Sequence, residues 1–188
     1  MKLISTLALT FFLAQSILAL PVGQSNVLQA RAALPVECGD PTASVPFFRL
    51  YNAGGTDHFY TTNTAERDSF ISLYGYVSET APGNIFRTQQ PSTVPLYRLY
   101  NAGVQDHFYT TSTTERDTFI NSNGYTSEGI AGYVYPNQIC SSQPLYRLYR
   151  AVSVDHLYTT SSSEYSSQQS AGYRGEGIRG YILPLRQN

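Results

Sequence analysis

The sequence predicts a mainly β domain with short helices, built from three β-β-α-β units in a closed pseudo-threefold assembly, either propeller-like or β-trefoil-like. Three observations carry this expectation. A phrase recurs three times: Phe47-Phe48-Arg49-Leu50-Tyr51-Asn52 with Asp57-His58-Phe59-Tyr60-Thr61-Thr62, then Leu96 to Asn101 with Asp106 to Thr111, then Leu145 to Arg150 with Asp155 to Thr160. Arg49, Arg98 and Arg147 stand 49 residues apart, as do the only histidines, His58, His107 and His156. Periods of this length mark supersecondary units that cannot bury their apolar faces alone and so pack on one another. The segments between strands are also too short for the long crossover helices of a parallel, doubly wound sheet.

The second unit shows the elements in order. Leu96 to Tyr100, opened by Pro95, is bulky and aromatic with Arg98 at its middle, which is strand chemistry. Asn101-Ala102-Gly103 is a turn, and Asp106 to Thr111 returns as the second strand of an antiparallel hairpin. Alternation sets His107, Tyr109 and Thr111 on one face and Asp106, Phe108 and Thr110 on the other. Ser112 with Glu115 has capping-box spacing, repeated by Asn63 with Glu66 and Ser161 with Glu164, so a short helix follows each hairpin. Phe119 and Ile120 give that helix its apolar side, and Gly124 is placed to end it. Glu128 to Pro136 then closes the unit as one further strand or a bent pair. The unit boundaries fall at about 44–93, 94–143 and 144–188.

Met1-Lys2 and the apolar run Leu3 to Leu20 have the form of a secretory signal peptide, taken as residues 1–19, and residues 20–43 read as a pro-segment or linker. The expected product is extracellular and free of the membrane once the signal is removed. Lys2 is the only lysine, the net charge is -1 and no basic run exists, which excludes nucleic acid and anionic membrane surfaces as general electrostatic partners. Cys38 and Cys140 make an even count in a secreted chain and predict one structural disulfide clasping the incoming chain to the seam between units two and three. Sixteen Tyr and no Trp imply a core or surface whose aromatic area carries hydroxyls in need of partners.

The phrases PLYRLYNAGVQDHFYTTSTTERD and GYTSEGIAGYVY resemble a tyrosine-rich secreted repeat family, found beside extracellular hydrolases in bacteria and as small free-standing secreted proteins in fungi. The resemblance covers residues 44–188 and implies a non-catalytic, lectin-like module of three repeats with attachment to carbohydrate as its role. The chain departs from the pattern where Glu79-Thr80-Ala81-Pro82-Gly83-Asn84 replaces the Glu-Gly-Ile-Ala-Gly-Tyr segment. It departs again where Tyr165 stands in place of Arg67 and Arg116, and where a residue is lost before Gly172.

Recurrence of Asp, His, Tyr and Arg sets the candidate ligand-binding residues: Asp57, His58 and Tyr60; Asp106, His107 and Tyr109; Asp155, His156 and Tyr158; with Arg49, Arg98 and Arg147. Aromatic faces against sugar rings and polar groups on sugar hydroxyls are the chemistry such a set suits. The expected partner is a cell-wall polysaccharide, with a secreted effector or inhibitor that binds another protein as the alternative and an extracellular hydrolase third. Neighbours on a strand face opposite ways, so Asp106 does not orient His107 and no enzyme is expected. No cofactor or metal is expected either, because a histidine that satisfies buried groups explains each copy without one. Arg49, Arg98 and Arg147 share their period with Glu79, Glu128 and Glu176, which predicts structural Arg–Glu pairs, a grip on sugar hydroxyls being the alternative.

Overall fold

The computed structural model describes residues 35–186. The expected signal segment and most of the pro-segment lie outside the described residues. The chain is mainly β with three short helices. Its elements are β1 (Ser44–Pro46), β2 (Phe48–Asn52), β3 (Asp57–Thr61), α1 (Thr64–Tyr74), β4 (Val77–Glu79), β5 (Asn84–Phe86), β6 (Val94–Asn101), β7 (Asp106–Thr110), α2 (Thr113–Ser122), β8 (Thr126–Val134), β9 (Gln143–Arg150), β10 (Asp155–Thr159), α3 (Ser162–Ser170) and β11 (Arg174–Ile182). They form three antiparallel sheets in the orders β1-β5-β8-β6-β7, β10-β9-β11 and β3-β2-β4. No sheet closes on itself, so the barrel that a trefoil requires is not formed among the described residues.

Each predicted hairpin is present in the same register: Arg49 pairs with Tyr60, Arg98 with Tyr109 and Arg147 with Tyr158. The third strand lies on the other side of the hairpin's first strand, leaving β3, β7 and β10 as sheet edges. In β8 and β11 the ladder slips at Glu128 and Glu176, where Gly129 (φ 91°) and Gly177 (φ 86°) supply the left-handed residue of a bulge. The first unit has Thr80 at that position, which does not adopt this conformation cheaply, and its strand breaks into β4 and β5 instead.

Asn63, Ser112 and Ser161 cap α1, α2 and α3 by accepting from Glu66, Glu115 and Glu164 backbone N–H groups, as the spacing predicts. The reciprocal half of the capping box is absent. The cap N–H groups donate instead to Thr61, Thr110 and Thr159 Oγ1, and the glutamates are used elsewhere.

Three residues from each unit build the central core: Phe47, Leu96 and Leu145; Tyr60, Tyr109 and Tyr158; Ile85, Val134 and Ile182. Three satellite clusters sit under the helices, each joining one residue of either hairpin strand to the tyrosine after the helix: Tyr76, Tyr125 or Tyr173. A fourth cluster, of Phe86, Tyr135 and Leu183, packs around Cys140. Cys38 bonds to Cys140 as expected. Residues just before β1 are fastened rather than free, since Gly39 N–H donates to Tyr135 Oη and Arg186 donates to the Thr42 and Ser44 carbonyls. Among the described residues no helix is long and apolar enough to cross a membrane.

Candidate functional site

The edge strands β3, β7 and β10 meet one another at the centre without a backbone ladder between them. Their buried outward N–H groups still require partners, and the recurring Asp and Tyr provide them. Each central tyrosine bonds both ways to one neighbouring strand: Tyr109 Oη accepts from Tyr60 N–H at 2.8 Å and donates to the Tyr60 carbonyl at 2.7 Å. Tyr158 does the same for Tyr109, and Tyr60 for Tyr158. The other edge N–H groups, those of His58, His107 and His156, donate to Oδ1 of Asp155, Asp57 and Asp106, each at 2.9 Å. Oδ2 of the same carboxylates takes the Nδ1 of those histidines at 2.8, 2.6 and 2.7 Å. Tyr76, Tyr125 and Tyr173 add a hydroxyl donor to Asp57, Asp106 and Asp155.

Asp and His therefore do pair, but never with their own neighbour. Asp57 orients His107, Asp106 orients His156, and Asp155 orients His58. Buried aspartates and the edge N–H groups account for each other, so these side chains join the strands. All three aspartates and Tyr60, Tyr109 and Tyr158 have 0% exposure. A ligand cannot touch them, which corrects their expected place on a binding surface. The carboxylates, not the imidazoles, converge: one oxygen from each of Asp57, Asp106 and Asp155 lies within 4.8 Å of the others, although both oxygens of each already accept protein hydrogen bonds.

The arginines make the expected in-unit pairs, Arg49–Glu79 and Arg98–Glu128 at 2.9 Å and Arg147–Glu176 at 2.6 Å. Each also grips the glutamate of the preceding unit's helix: Arg98 binds Glu66 through both Nη atoms, Arg147 binds Glu115, and Arg49 binds Glu164. Burial alone would lower the Arg98 guanidinium, but Tyr109, Glu66 and Glu128 outweigh it and hold the group above its usual range. Burial likewise pushes Glu66 up, and the hydrogen bonds from Arg98 and Thr61 bring it below the ordinary glutamate value. Arg–Glu pairing is thus structural, each guanidinium being held between two glutamates of the protein itself.

The histidines are buried too, to 5% exposure for His58 and 3% for His107 and His156, but the last two reach the inner wall of an open groove. His107 presents Nε2 at 3.7 Å from Glu128 Oε2 on the wall of a groove of about 360 Å³ between the first two units. The imidazole stacks on Tyr100 with centroids 4.4 Å apart and meets Phe70 edge-on. Tyr74, Tyr76, Asn52, Gly55 and Gln105 complete the lining. A second groove, of about 330 Å³, repeats this frame with His156, Tyr149, Phe119, Tyr125 and Glu176. Its rim differs, with Asn123 for Tyr74, Val154 for Gln105 and the added Arg174. At the third seam, His58 packs on Tyr51 at a tilt of 35° and bonds Asp155, while the Arg150 guanidinium sits 5.7 Å over the Tyr173 ring. Asn52 and Asn101 occupy the corresponding place in the other units and donate to the Tyr74 and Asn123 carbonyls.

Sequence reasoning named the histidines but missed their companions. Tyr100 and Tyr149, Tyr76 and Tyr125, and Phe70 and Phe119 all repeat at the same spacing as the histidines, and that shared period was the available signal. A family model described as Domain of unknown function (DUF5648) matches residues 46–183. No curated protein and no solved structure matches.

Proposed function

The chain belongs to the DUF5648 family, a domain of unknown function, and we propose that it is a secreted, non-catalytic module that binds carbohydrate in the aromatic grooves between its units. The supporting observation is the duplicated frame of His107, Tyr100, Tyr76, Phe70 and Glu128 in one groove and His156, Tyr149, Tyr125, Phe119 and Glu176 in the next. An aromatic face covers the CH side of a sugar ring, while carboxylate and amide groups of the lining meet its hydroxyls. The units close as a pseudo-threefold, propeller-like ring, a reading supported by the cyclic order of bonds from Asp57 to His107, Asp106 to His156 and Asp155 to His58. Two open grooves on one rigid body give avidity for a repetitive polymer such as a cell-wall glycan. The Cys38–Cys140 bond supports an extracellular setting.

Absence of turnover is part of the proposal. Each Asp–His pair lies inside the strand-joining cluster, no serine, threonine or cysteine among the described residues lines either groove, and each groove is lined by a single glutamate where a glycosidase uses two carboxyl groups. The test is retention of oxidised protein on insoluble polysaccharides and on a glycan array. Wild type is expected to bind, and the double variant Tyr100→Ala/Tyr149→Ala to lose at least tenfold while keeping its melting temperature within a few degrees. No retention of wild type on any glycan overturns the reading.

A second reading rests on one observation. Leu73, Tyr74 and Val77 are 73%, 60% and 59% exposed, and all belong to the first unit. The second unit has Ser122, Asn123 and Thr126 there. Such a one-sided apolar patch suits an effector or inhibitor that docks on another protein. Loss of binding to a glycan-free protein partner on Leu73→Ser/Val77→Thr would favour it.

A further inference from the structure

We propose that the second groove selects a carboxylate-bearing sugar, a uronate, through Arg174. The inference rests on the carbohydrate reading above and adds a ligand class to one of its two sites. Position 174 is a place on the groove rim where the units differ in charge: Val77 in the first, Thr126 in the second and Arg174 in the third follow the same tyrosine, Tyr76, Tyr125 or Tyr173.

Charge bookkeeping separates the grooves. Beside the first, Arg98 faces two carboxylates, Glu66 and Glu128, leaving an excess of negative charge at the wall. Beside the second, Glu115 and Glu176 face Arg147 and Arg174, with Arg179 also close to Glu115, so no excess of negative charge is left. Arg147 is buried between its two partners, whereas the Arg174 side chain is 75% exposed. Its guanidinium lies 5.9 Å over the Tyr149 ring, which also stacks on His156, and so stands at the aromatic wall of the groove. One hydrogen bond, from Nη2 to Glu176 Oε1 at 2.9 Å, holds it there. A guanidinium has five N–H donors in a planar fork, and the fork matches a carboxylate in a bidentate pair. A neutral sugar gains no such pair, and an anionic one meets repulsion in the first groove. Val104 and Val154 on this rim, where the first groove has Gly55 and Gln105, supply apolar contact and few competing amide groups.

The experiment compares an oligogalacturonate as free acid with its full methyl ester, which differs only in the carboxylates, by calorimetry at low salt. The acid is expected to bind wild type at least tenfold tighter, with a stoichiometry of one and an affinity that falls as salt rises. Arg174→Thr, which installs the second unit's residue, is expected to bring the acid down to the affinity of the ester. Thr126→Arg is expected to raise the acid's stoichiometry to two. Equal binding of acid and ester to wild type, or a preference that survives Arg174→Thr, overturns the uronate assignment while leaving the carbohydrate reading standing if neutral oligosaccharides bind. Failure of acid, ester and neutral oligosaccharides alike removes both.

Discussion

Nδ1 of His107 lies 2.6 Å from Oδ2 of Asp57, and the backbone N–H of His107 donates to Oδ1 of the same carboxylate at 2.9 Å. One side chain thus fixes both the strand and the ring of a residue 50 positions later. Such a carboxylate has no polar substitute of equal capacity, because an amide accepts at one end only. Asp57→Asn is expected to cost about 2–4 kcal/mol of stability. Asp106→Asn and Asp155→Asn should cost the same within about 1 kcal/mol, since the bonds they make are alike. Urea denaturation checks this, with Asp117→Asn, an exposed partner of Arg116, as the control expected to stay within about 0.5 kcal/mol. A large effect at one aspartate alone would break the cyclic account.

Arg98 is clamped by Glu66 and Glu128 at 2.8 and 2.9 Å with its side chain 14% exposed. Removing it leaves two half-buried carboxylates facing each other. Arg98→Met is therefore expected to destabilise by about 2–4 kcal/mol, more than an exposed ion pair is worth. The triple variant Arg98→Met/Glu66→Gln/Glu128→Gln should recover at least half of that loss, because the penalty lies mainly in the stranded charges. Thermal denaturation of both variants decides it; no recovery would mean that the guanidinium stem, not its charge, holds the seam.

Hairpins, caps, Arg–Glu pairs within a unit and the disulfide were legible because each is written in local spacing or in a count of two cysteines. What joins the units was not. Asp57 next to His58 invites a local pairing that strand alternation forbids, and the actual partner, His107, is set by how β3 meets β7. Glu66 matches a capping box, yet it leaves that role because Arg98 of the next unit offers a bidentate charge-assisted bond. Tyr109 looks like any aromatic of a half-buried strand; only the meeting of three sheet edges shows that its hydroxyl completes a neighbour's backbone. The grooves followed from the same gap, since their walls come from adjacent units.

Stability should fall at both ends of the pH scale. Glu66, Glu115, Glu164 and Glu176 are pushed up by burial and brought below their ordinary values chiefly by arginine partners. A depressed folded value means that the stabilisation is present above the unfolded value, near ~4.3, and is lost as pH falls through the folded one. Tyr60, Tyr76, Tyr109, Tyr125 and Tyr173 are raised, first by burial. Their folded state holds the proton more tightly, so stability declines once pH rises past the unfolded phenol value of about 10. Melting temperature is expected to drop as pH falls through the glutamate range and again as it rises past about 10. Phenolate absorbance should show these tyrosines ionising only together with unfolding, and early ionisation of all sixteen would contradict their burial.

The Cys38–Cys140 bond spans 102 residues, a stretch that contains the first two hairpins and their helices entire. Its effect should lie mostly in the unfolded chain, where closing a loop of this length removes entropy worth about 4–5 kcal/mol on the chain-entropy model. The folded clasp has other attachments: Gly39 to Tyr135, Arg186 to Thr42 and Ser44, and the pairing of β1 with β5. Cys38→Ala/Cys140→Ala is therefore expected to keep the native near-ultraviolet spectrum and to melt roughly 10–15 °C lower. A double variant that melts unchanged would mean that the unfolded ensemble is already held compact across this span. Loss of the native spectrum at low temperature would instead put the bond's contribution in the folded state, at the seam where Phe86, Tyr135 and Leu183 pack around Cys140.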